Sequence, residues 1–315
     1  MNVFIASCHA SLEFDQVIMF GLMGHNVAGS FDVGSKQRPK IVGITDKSND
    51  VRDAFKGADM IVMHQCENYS NVFQQYCNEM GKRPVVLNYF GQGCEEQHKH
   101  VATILKSVPN AYVVCYSRKE ERMFKALEAP DRKFRMIRFG KVLDDFALHG
   151  GWDGTIPMAY MTCNSAERRG EGCGWPALKE LMDSMLPMIL SGKETETLRR
   201  GIGELDYEGM KTMYRNARCF VSLGTVPAPM VLTQIEAMVM GCPVIVMDNG
   251  CGIAQEGLPL IVVKNTREIA WWVESFIVEY PRAVAVSKKA ATQVEDEFNM
   301  EKVAGRWASF MEGMK

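Results

Sequence analysis

A doubly wound α/β architecture, with two Rossmann-like domains facing each other across a cleft, is what this sequence predicts. Three observations carry that reading. Short β-like runs alternate with helical patterns through the first half, which implies parallel strands joined by crossover helices. The alternation resumes after "DDFALHGGWDGTIP" at 144–157, where three glycines and a proline break the periodicity. Finally, 315 residues suit two domains of ordinary size better than one.

The elements follow in order. "NVFIAS" reads as a strand, then "FDQVIMFGLMGHN" as a helix, "KIVGI" as a strand and "DVRDAFKGA" as a helix. "DMIVMHQ", "RPVVLNYF", "AYVVCYS" and "FRMIRFG" are further strands, separated by "NVFQQYCNEMG", a helix near 96–107 and a helix over 118–128. The second pattern runs "MAYMTCN", a glycine-rich loop, "WPALKELMDSMLPMIL", "DYEGMKTMYRNA", "RCFVSLG", a helix from near Pro229 to Gly241, "PVIVMD", "LPLIVV" and two helical stretches. We place the domains at 1–148 and 149–290, with 291–315 as a helix returning to the first domain.

Composition excludes several classes. A hydrophobic fraction of 47% with 23% charged residues is that of a globular chain, not a disordered one. No run approaches the roughly 20 apolar residues of a membrane span. "MNVFIASCHASLEF" lacks the basic lead of a signal peptide, so a cytoplasmic location is expected. Ten cysteines without any CxxC, the nearest pairs being Cys242/Cys251, Cys163/Cys173 and Cys66/Cys77, read as free thiols in a reducing compartment. None of the six histidines shows HxxxH or HExxH spacing, so no metal site is expected. A net charge of −2 argues against a general nucleic-acid binder. Residues 118–141 nevertheless concentrate Arg118, Lys119, Arg122, Lys125, Arg132, Lys133, Arg135, Arg138 and Lys141 against four acids.

The segment "SLGTVPAPMVLTQIEAMVMGCPVIVMDNG" at 222–250 holds the clearest signal. Doubly wound sheets bind ligands at the carboxyl ends of their strands. A strand ending at Ser222 and Gly224 leads here to a helix start at Met230, Val231 and Leu232, whose free amides suit a phosphate or a sugar hydroxyl. Gly241 fits the left-handed stop and Pro243 prevents continuation. Glu236 is a lone acid among Leu232, Ile235, Val239 and Met240. Such a carboxylate either reaches solvent or accepts hydrogen bonds, and a ribose diol would supply them.

"MYRNARCFVSLG" with "MVLTQIEAMVMGCPVIVMDNG" resembles the donor-binding signature of the GT-B-fold glycosyltransferases, in particular the large retaining group with an E-x7-E motif. "FGLMGHNV", "GADMIVMHQ", "YVVCYSRKEERMFKAL", "GELDYEGMKTMYRNA" and "FNMEKVAGRWASFMEGM" are similar to further family segments and stand in the family's order. The resemblance implies transfer of a sugar from a nucleotide-sugar donor, UDP- or GDP-linked, to an acceptor hydroxyl, without a cofactor. It implies a ribose contact for Glu236 and diphosphate contacts for Arg168 and Arg169 in "NSAERRGEGCGW". The first glutamate of the motif is replaced by Ala228, between Pro227 and Pro229, and the turn after the first strand lacks glycine.

An inverting enzyme would need a base near that first turn, which supplies His9, Glu13 and Asp15. Glu13 and Asp15 also read as first-turn acids complementing a helix dipole. The acceptor stays open between a glycan or small molecule and a hydroxymethylated DNA base of a phage, the latter through 118–141. A catalytically inactive GT-B scaffold is the competing class. A nicotinamide dehydrogenase is disfavoured because no GxGxxG follows the first strand.

Overall fold

The computed structural model describes residues 1–6, 10–29, 51–65, 69–90, 95–147, 151–226 and 228–314. Among these the chain forms two compact units, Met1–Gly140 with Met300–Lys315, and Lys141–Asn299.

The first unit holds an all-parallel sheet of β1 (Asn2–Ala6), β2 (Asn26–Gly29), β3 (Met60–His64), β4 (Val85–Tyr89), β5 (Ala111–Cys115) and β6 (Phe134–Met136). Its spatial order is β2-β1-β3-β4-β5-β6. Every residue of β3, β4 and β5 is buried, which is why these strands read as apolar runs instead of alternating ones. Helices α1 (Ala10–Leu22), α2 (Val51–Lys56), α3 (Tyr69–Met80), α4 (Glu95–Ser107) and α5 (Arg118–Ala126) connect the strands. The α5 start is a capping box: Ser117 Oγ accepts from the Glu120 amide at 3.1 Å, and Glu120 Oε2 accepts from the Ser117 amide at 2.9 Å. "KIVGI" at 40–44, read as a strand, lies outside the described residues.

The second unit begins with α6 (Leu143–Ala147), followed by β7 (Ile156–Thr162), α7 (Ala166–Arg169), α8 (Trp175–Asp183), β8 (Met188–Ser191), α9 (Tyr207–Asn216) and β9 (Ala217–Ser222). Then come α10 (Leu232–Met240), β10 (Val244–Met247), β11 (Ile261–Val263), α11 (Thr266–Val278) and α12 (Tyr280–Phe298). Its parallel sheet runs β11-β10-β9-β7-β8. The sequence reading ran "WPALKELMDSMLPMIL" as one piece. The structure ends the helix at Asp183 and starts β8 after Pro187, because a proline cannot supply the amide that continuing the helix needs. The expected helix start at Pro229 likewise moves to Leu232. Val231 is still extended (φ −128°, ψ 155°), and its amide is taken by Gln234 Oε1 at 3.1 Å.

The passage from the first unit to the second occurs at Gly140 and Lys141, ahead of the glycine-rich stretch. Gly140 sits inside the first unit, where a Cβ would come within 2.7 Å of Met300 Sδ. Lys141 already belongs to the second, donating its amide to Phe298 O at 2.8 Å. The return lies between Asn299 and α13 (Met300–Glu312), whose Trp307 packs edge-on against Phe20 of α1 with centroids 5.3 Å apart. Trp307 is buried, and a side chain of that size contributes on the order of 4 kcal/mol of burial. None of the described helices is long and apolar enough to cross a membrane.

Candidate functional site

Strand order locates the place to look. In the second sheet β7 is laid down first, β8 pairs on one side of it and β9 on the other. The loops after β7 and β9 therefore diverge around a topological switch point at the carboxyl edge of the sheet, where open α/β sheets take ligands.

Direct bonds join these loops. Arg169, at the end of α7, donates from Nη2 to Thr225 Oγ1 at 3.2 Å. Val226 donates its amide to Gly172 O at 2.9 Å, and a Cβ on Gly174 would lie 2.9 Å from Leu223 Cβ. Asn249, after β10, donates from Nδ2 to Leu223 O at 2.8 Å. Behind β7, Asn164 Oδ1 accepts from the Lys193 amide at 2.9 Å, and Gly192 has φ +138° with Cys163 O only 2.3 Å from where a Cβ would stand. Ser165 and Glu194 adopt left-handed backbone (φ 49° and 62°), a cost of about 1–3 kcal/mol each for side-chain-bearing residues. Strain of that kind persists where surrounding contacts over-determine the loop, as they do here.

The predicted donor residues separate into two sets on this frame. Arg168 and Arg169 are exposed at the rim. Arg168 donates to Ser165 Oγ at 2.9 Å and lies 3.7 Å from Glu194. Arg169 also reaches Asn164 O at 3.5 Å and Cys163 Sγ at 3.9 Å. Gly224 turns the β9 exit with φ +75°, and Val231 and Leu232 are half-buried at the α10 start. Ser222, Met230 and Glu236 face inward instead. Ser222 Oγ accepts from Gln234 Nε2 at 2.9 Å, and Met230 is 8% exposed. Glu236 is 2% exposed; Oε1 accepts from Lys141 Nζ at 3.0 Å and Oε2 from Tyr214 OH at 3.3 Å. Burial, and after it the Glu236 charge, hold the Tyr214 hydroxyl well above its ordinary pKa, so it remains a donor to that carboxylate.

Sequence reasoning missed Lys141, Tyr214, Gln234, Thr225 and Asn249. Gln234 was findable: a Gln three residues past the N-cap of an apolar helix is the acceptor half of a capping pattern. Lys141 was not, since 95 residues separate it from Glu236.

In the first unit the corresponding switch point lies between β1 and β3. His64, at the end of β3, meets Gln16 Oε1 of α1 at 2.8 Å, and Gln16 Nε2 reaches Tyr116 OH at 3.4 Å. Tyr116 stacks on Phe139 with centroids 3.6 Å apart and on Phe90 at 5.3 Å. Asn88, the register partner of His64, is fully buried, and both polar atoms of its side chain lack a hydrogen-bond partner among the described residues. Glu13 and Asp15 are buried at 0% and 4% exposure, beside this cluster in sequence. His9 lies outside the described residues, as does Pro227.

The basic run 118–141 is less basic at the surface than in the sequence. Lys133, Arg138 and Lys141 are buried. Lys133 donates to Val108 O at 3.3 Å and Arg138 to Tyr116 O at 2.7 Å. A cavity of about 350 Å³ lies among Arg132, Arg135 and Lys125, with Glu121 and Asp131 interleaved. No group of three or more potential metal-ligating side chains occurs among the described residues.

Comparison with solved structures decides the architecture. A glycosyltransferase from Rickettsia africae superposes with a TM-score of 0.70 at 13% identity, covering 99% of this chain and 98% of that one. Sucrose-phosphate synthase from Thermosynechococcus elongatus gives 0.68 at 18% identity, covering 98% of each chain. HepE from Anabaena, in complex with UDP and glucose, gives 0.66 at 11%, covering 99% of each. The fold is GT-B. The GT-B likeness runs over the whole chain, both sheets and α13 included, and at these identities it is a statement of fold. No family profile matches the sequence, and neither does any curated protein.

Proposed function

We propose that this protein is a glycosyltransferase that takes a sugar from a nucleotide-sugar donor held at the carboxyl edge of the second sheet. The observation that carries the reading is the bond from Arg169 to Thr225. It ties the loops on either side of the switch point, and the loop after β7 presents two exposed guanidinium groups. HepE, which shares the fold, has been crystallised with UDP and with UDP-glucose, which makes a uridine donor the first to test.

In the transfer, the bond from the anomeric carbon to the diphosphate oxygen breaks and its electron pair stays on the phosphate. The acceptor oxygen bonds to that carbon and loses its proton. Negative charge therefore grows on the diphosphate, where Arg168 and Arg169 supply fixed positive charge and the α10 amides add a favourable dipole. Ser222 and Gln234 hold that helix start in place. For Glu236 the proposed contact is with the ribose diol. A carboxylate offers about four acceptor sites, of which Lys141 and Tyr214 occupy one each. That contact requires the carboxylate to open from its present burial when the donor arrives.

The acceptor class we favour is a glycan or small molecule, taken at the polar edge of the first unit around His64 and Gln16. A DNA acceptor has weaker support, because 118–141 turns several of its cations inward and mixes acids among the rest.

Calorimetry with UDP-, GDP-, ADP- and CMP-sugars, followed by donor-hydrolysis assays, tests the proposal. One donor is expected to bind and to be hydrolysed slowly in the absence of acceptor. Arg169→Ala should weaken its binding by about 2 kcal/mol, the worth of a charge-assisted hydrogen bond. Glu236→Gln should abolish the preference for a ribo- over a 2′-deoxyribonucleotide. Binding without any turnover would favour the inactive scaffold, and no binding by any nucleotide sugar would overturn the donor site.

A further inference from the structure

A cavity of about 350 Å³ lies at the amino edge of the first sheet, lined by Glu121, Lys125, Asp131, Arg132, Phe134 and Arg135. Topology puts it there. Helix α5 starts just past the carboxyl end of β5 and runs back along the sheet, so Lys125 stands in its last turn, near the amino edge. Asp131 and Arg132 belong to the 3₁₀ turn Asp131–Lys133 that leads directly into β6, and Arg135 is the second residue of that strand. Among the described residues β6 pairs only with β5, which leaves the other side of the strand open beside the cavity. His64 ends β3 at the opposite, carboxyl edge.

The charges around the cavity are unevenly engaged. Lys133, between the two arginines, is buried and donates to Val108 O at 3.3 Å. Arg132 and Arg135 stay exposed. Neither guanidinium has a hydrogen bond or ion pair among the described residues, and neither does the Asp131 carboxylate. Glu121 differs: it lies 3.7 Å from Lys125 one turn along α5, so those two charges largely cancel. Two guanidinium groups and one carboxylate remain, against the apolar wall of Phe134, which is part of the core of the unit.

This lining selects a class of ligand. Guanidinium groups present planar forks of donors that match phosphate oxygens, and two of them match a dianion. The carboxylate repels further negative charge but accepts hydroxyl groups. A ligand with a phosphate at one end and hydroxyls along the rest satisfies both. The volume is at the lower end of the range for small-ligand pockets, about 300–1,000 Å³, which suits one sugar ring with its phosphate. A duplex would set its continuous row of phosphates against Asp131 and Glu121 as well as against the arginines.

We propose that this cavity binds a sugar phosphate, with Arg132 and Arg135 on the phosphate group and Asp131 on the sugar hydroxyls. The ligand is held at the amino edge, whereas open α/β sheets place their chemistry at the carboxyl edge, so it is bound there and not transformed. The site does not depend on the donor function proposed above.

The test is calorimetry on the full chain with glucose 6-phosphate, ribose 5-phosphate and inorganic phosphate. At least one sugar phosphate is expected to bind, more tightly than inorganic phosphate. Arg132→Gln and Arg135→Gln should each weaken it about tenfold or more, as the loss of a charge-assisted hydrogen bond does. Arg169→Ala should leave it unchanged. Asp131→Ala separates recognition from charge: it should weaken the sugar phosphate and strengthen inorganic phosphate, whereas a purely electrostatic site would tighten for both. Thermal melts establish that the variants fold, and exposed, unbonded side chains should change them little. No binding by any of the three probes would overturn the site. Binding abolished by Arg169→Ala would move the ligand to the donor loops and overturn it equally. Equal affinity for inorganic phosphate and the sugar phosphates, or tightening of both in Asp131→Ala, would overturn the recognition of a sugar.

Discussion

In the first unit the carboxyl edge carries His64, Gln16 and Asn88, with Gln16 reaching Tyr116 of the stacked rings Phe90, Tyr116 and Phe139. In the second unit it carries Arg168 and Arg169 exposed at the rim, with left-handed Ser165 and Glu194 and with Gly174 and Gly192 at close approaches of the loops. Both sheets reverse their strand order at the same topological step, between the first-laid strand and a neighbour. Topology therefore supplies the place in each unit, and the side chains on the loops decide what the place can hold. Exposed guanidinium groups suit a diphosphate. A buried, partly unsatisfied polar cluster suits hydroxyl groups or water.

Four experiments bear on that contrast. The largest effect is expected where the charge is buried. Glu236→Ala leaves the Lys141 ammonium enclosed without its carboxylate, and denaturant unfolding should show a loss of about 3–5 kcal/mol. Replacing both partners by apolar residues should recover most of it; a double variant as unstable as the single one would show that the pair is not what braces α10. Next comes Gly192→Ala. Its Cβ would stand 2.3 Å from Cys163 O, so about 3 kcal/mol or more should be lost, with nucleotide affinity falling alongside. Unchanged affinity in a folded Gly192→Ala protein would detach the β8 loop from the donor site.

In the first unit, Asn88→Leu removes a buried amide whose polar atoms lack partners among the described residues, and unfolding should show unchanged stability or a gain of up to about 2 kcal/mol. A clear loss would mean that the amide holds a bound water or ligand. The smallest effect is in pH dependence. Iodoacetamide should alkylate Cys173 with a midpoint near pH 7, while Cys219 stays unreactive in the folded protein. In the folded protein the Cys163 and Cys173 pair gives up its first proton more readily than free thiols do, and its second less readily. Its contribution to stability therefore rises with pH from about 7, through the range where the unfolded thiols are still protonated. It falls again in more alkaline solution, where the unfolded thiols have lost both protons and the folded pair keeps one. A flat thiol-reactivity profile across neutrality would show that the fold does not lower the Cys173 thiol.

Much of the fold was legible because it is written in local patterns. The apolar runs at 60–64, 85–89 and 111–115 become fully buried parallel strands, and Gly241 stops α10 at φ +88° as its position suggested. The donor signature led to the loops at the switch point of the second sheet, since strand exits and helix starts are sequence-local. What the side chains there do was much less legible. Glu236 was read for a ligand from its isolation in an apolar helix, and its bonds to Lys141 and Tyr214 left no trace in the sequence around it. Lys141 was counted as part of a basic surface and is buried.

By itself, then, the sequence determined which segments are strands and helices, their alternation, and so a two-sheet α/β architecture of GT-B type. Periodicity, caps and breakers act over a few residues and need no knowledge of distant partners. Only the tertiary structure decided where one unit yields to the other, at Gly140 and Lys141, and which charges meet solvent. It alone brought Arg169 to Thr225, Lys141 to Glu236 and Gln16 to His64. A buried charge is stable only beside its partner, and a partner far off in the chain leaves no periodic trace near it.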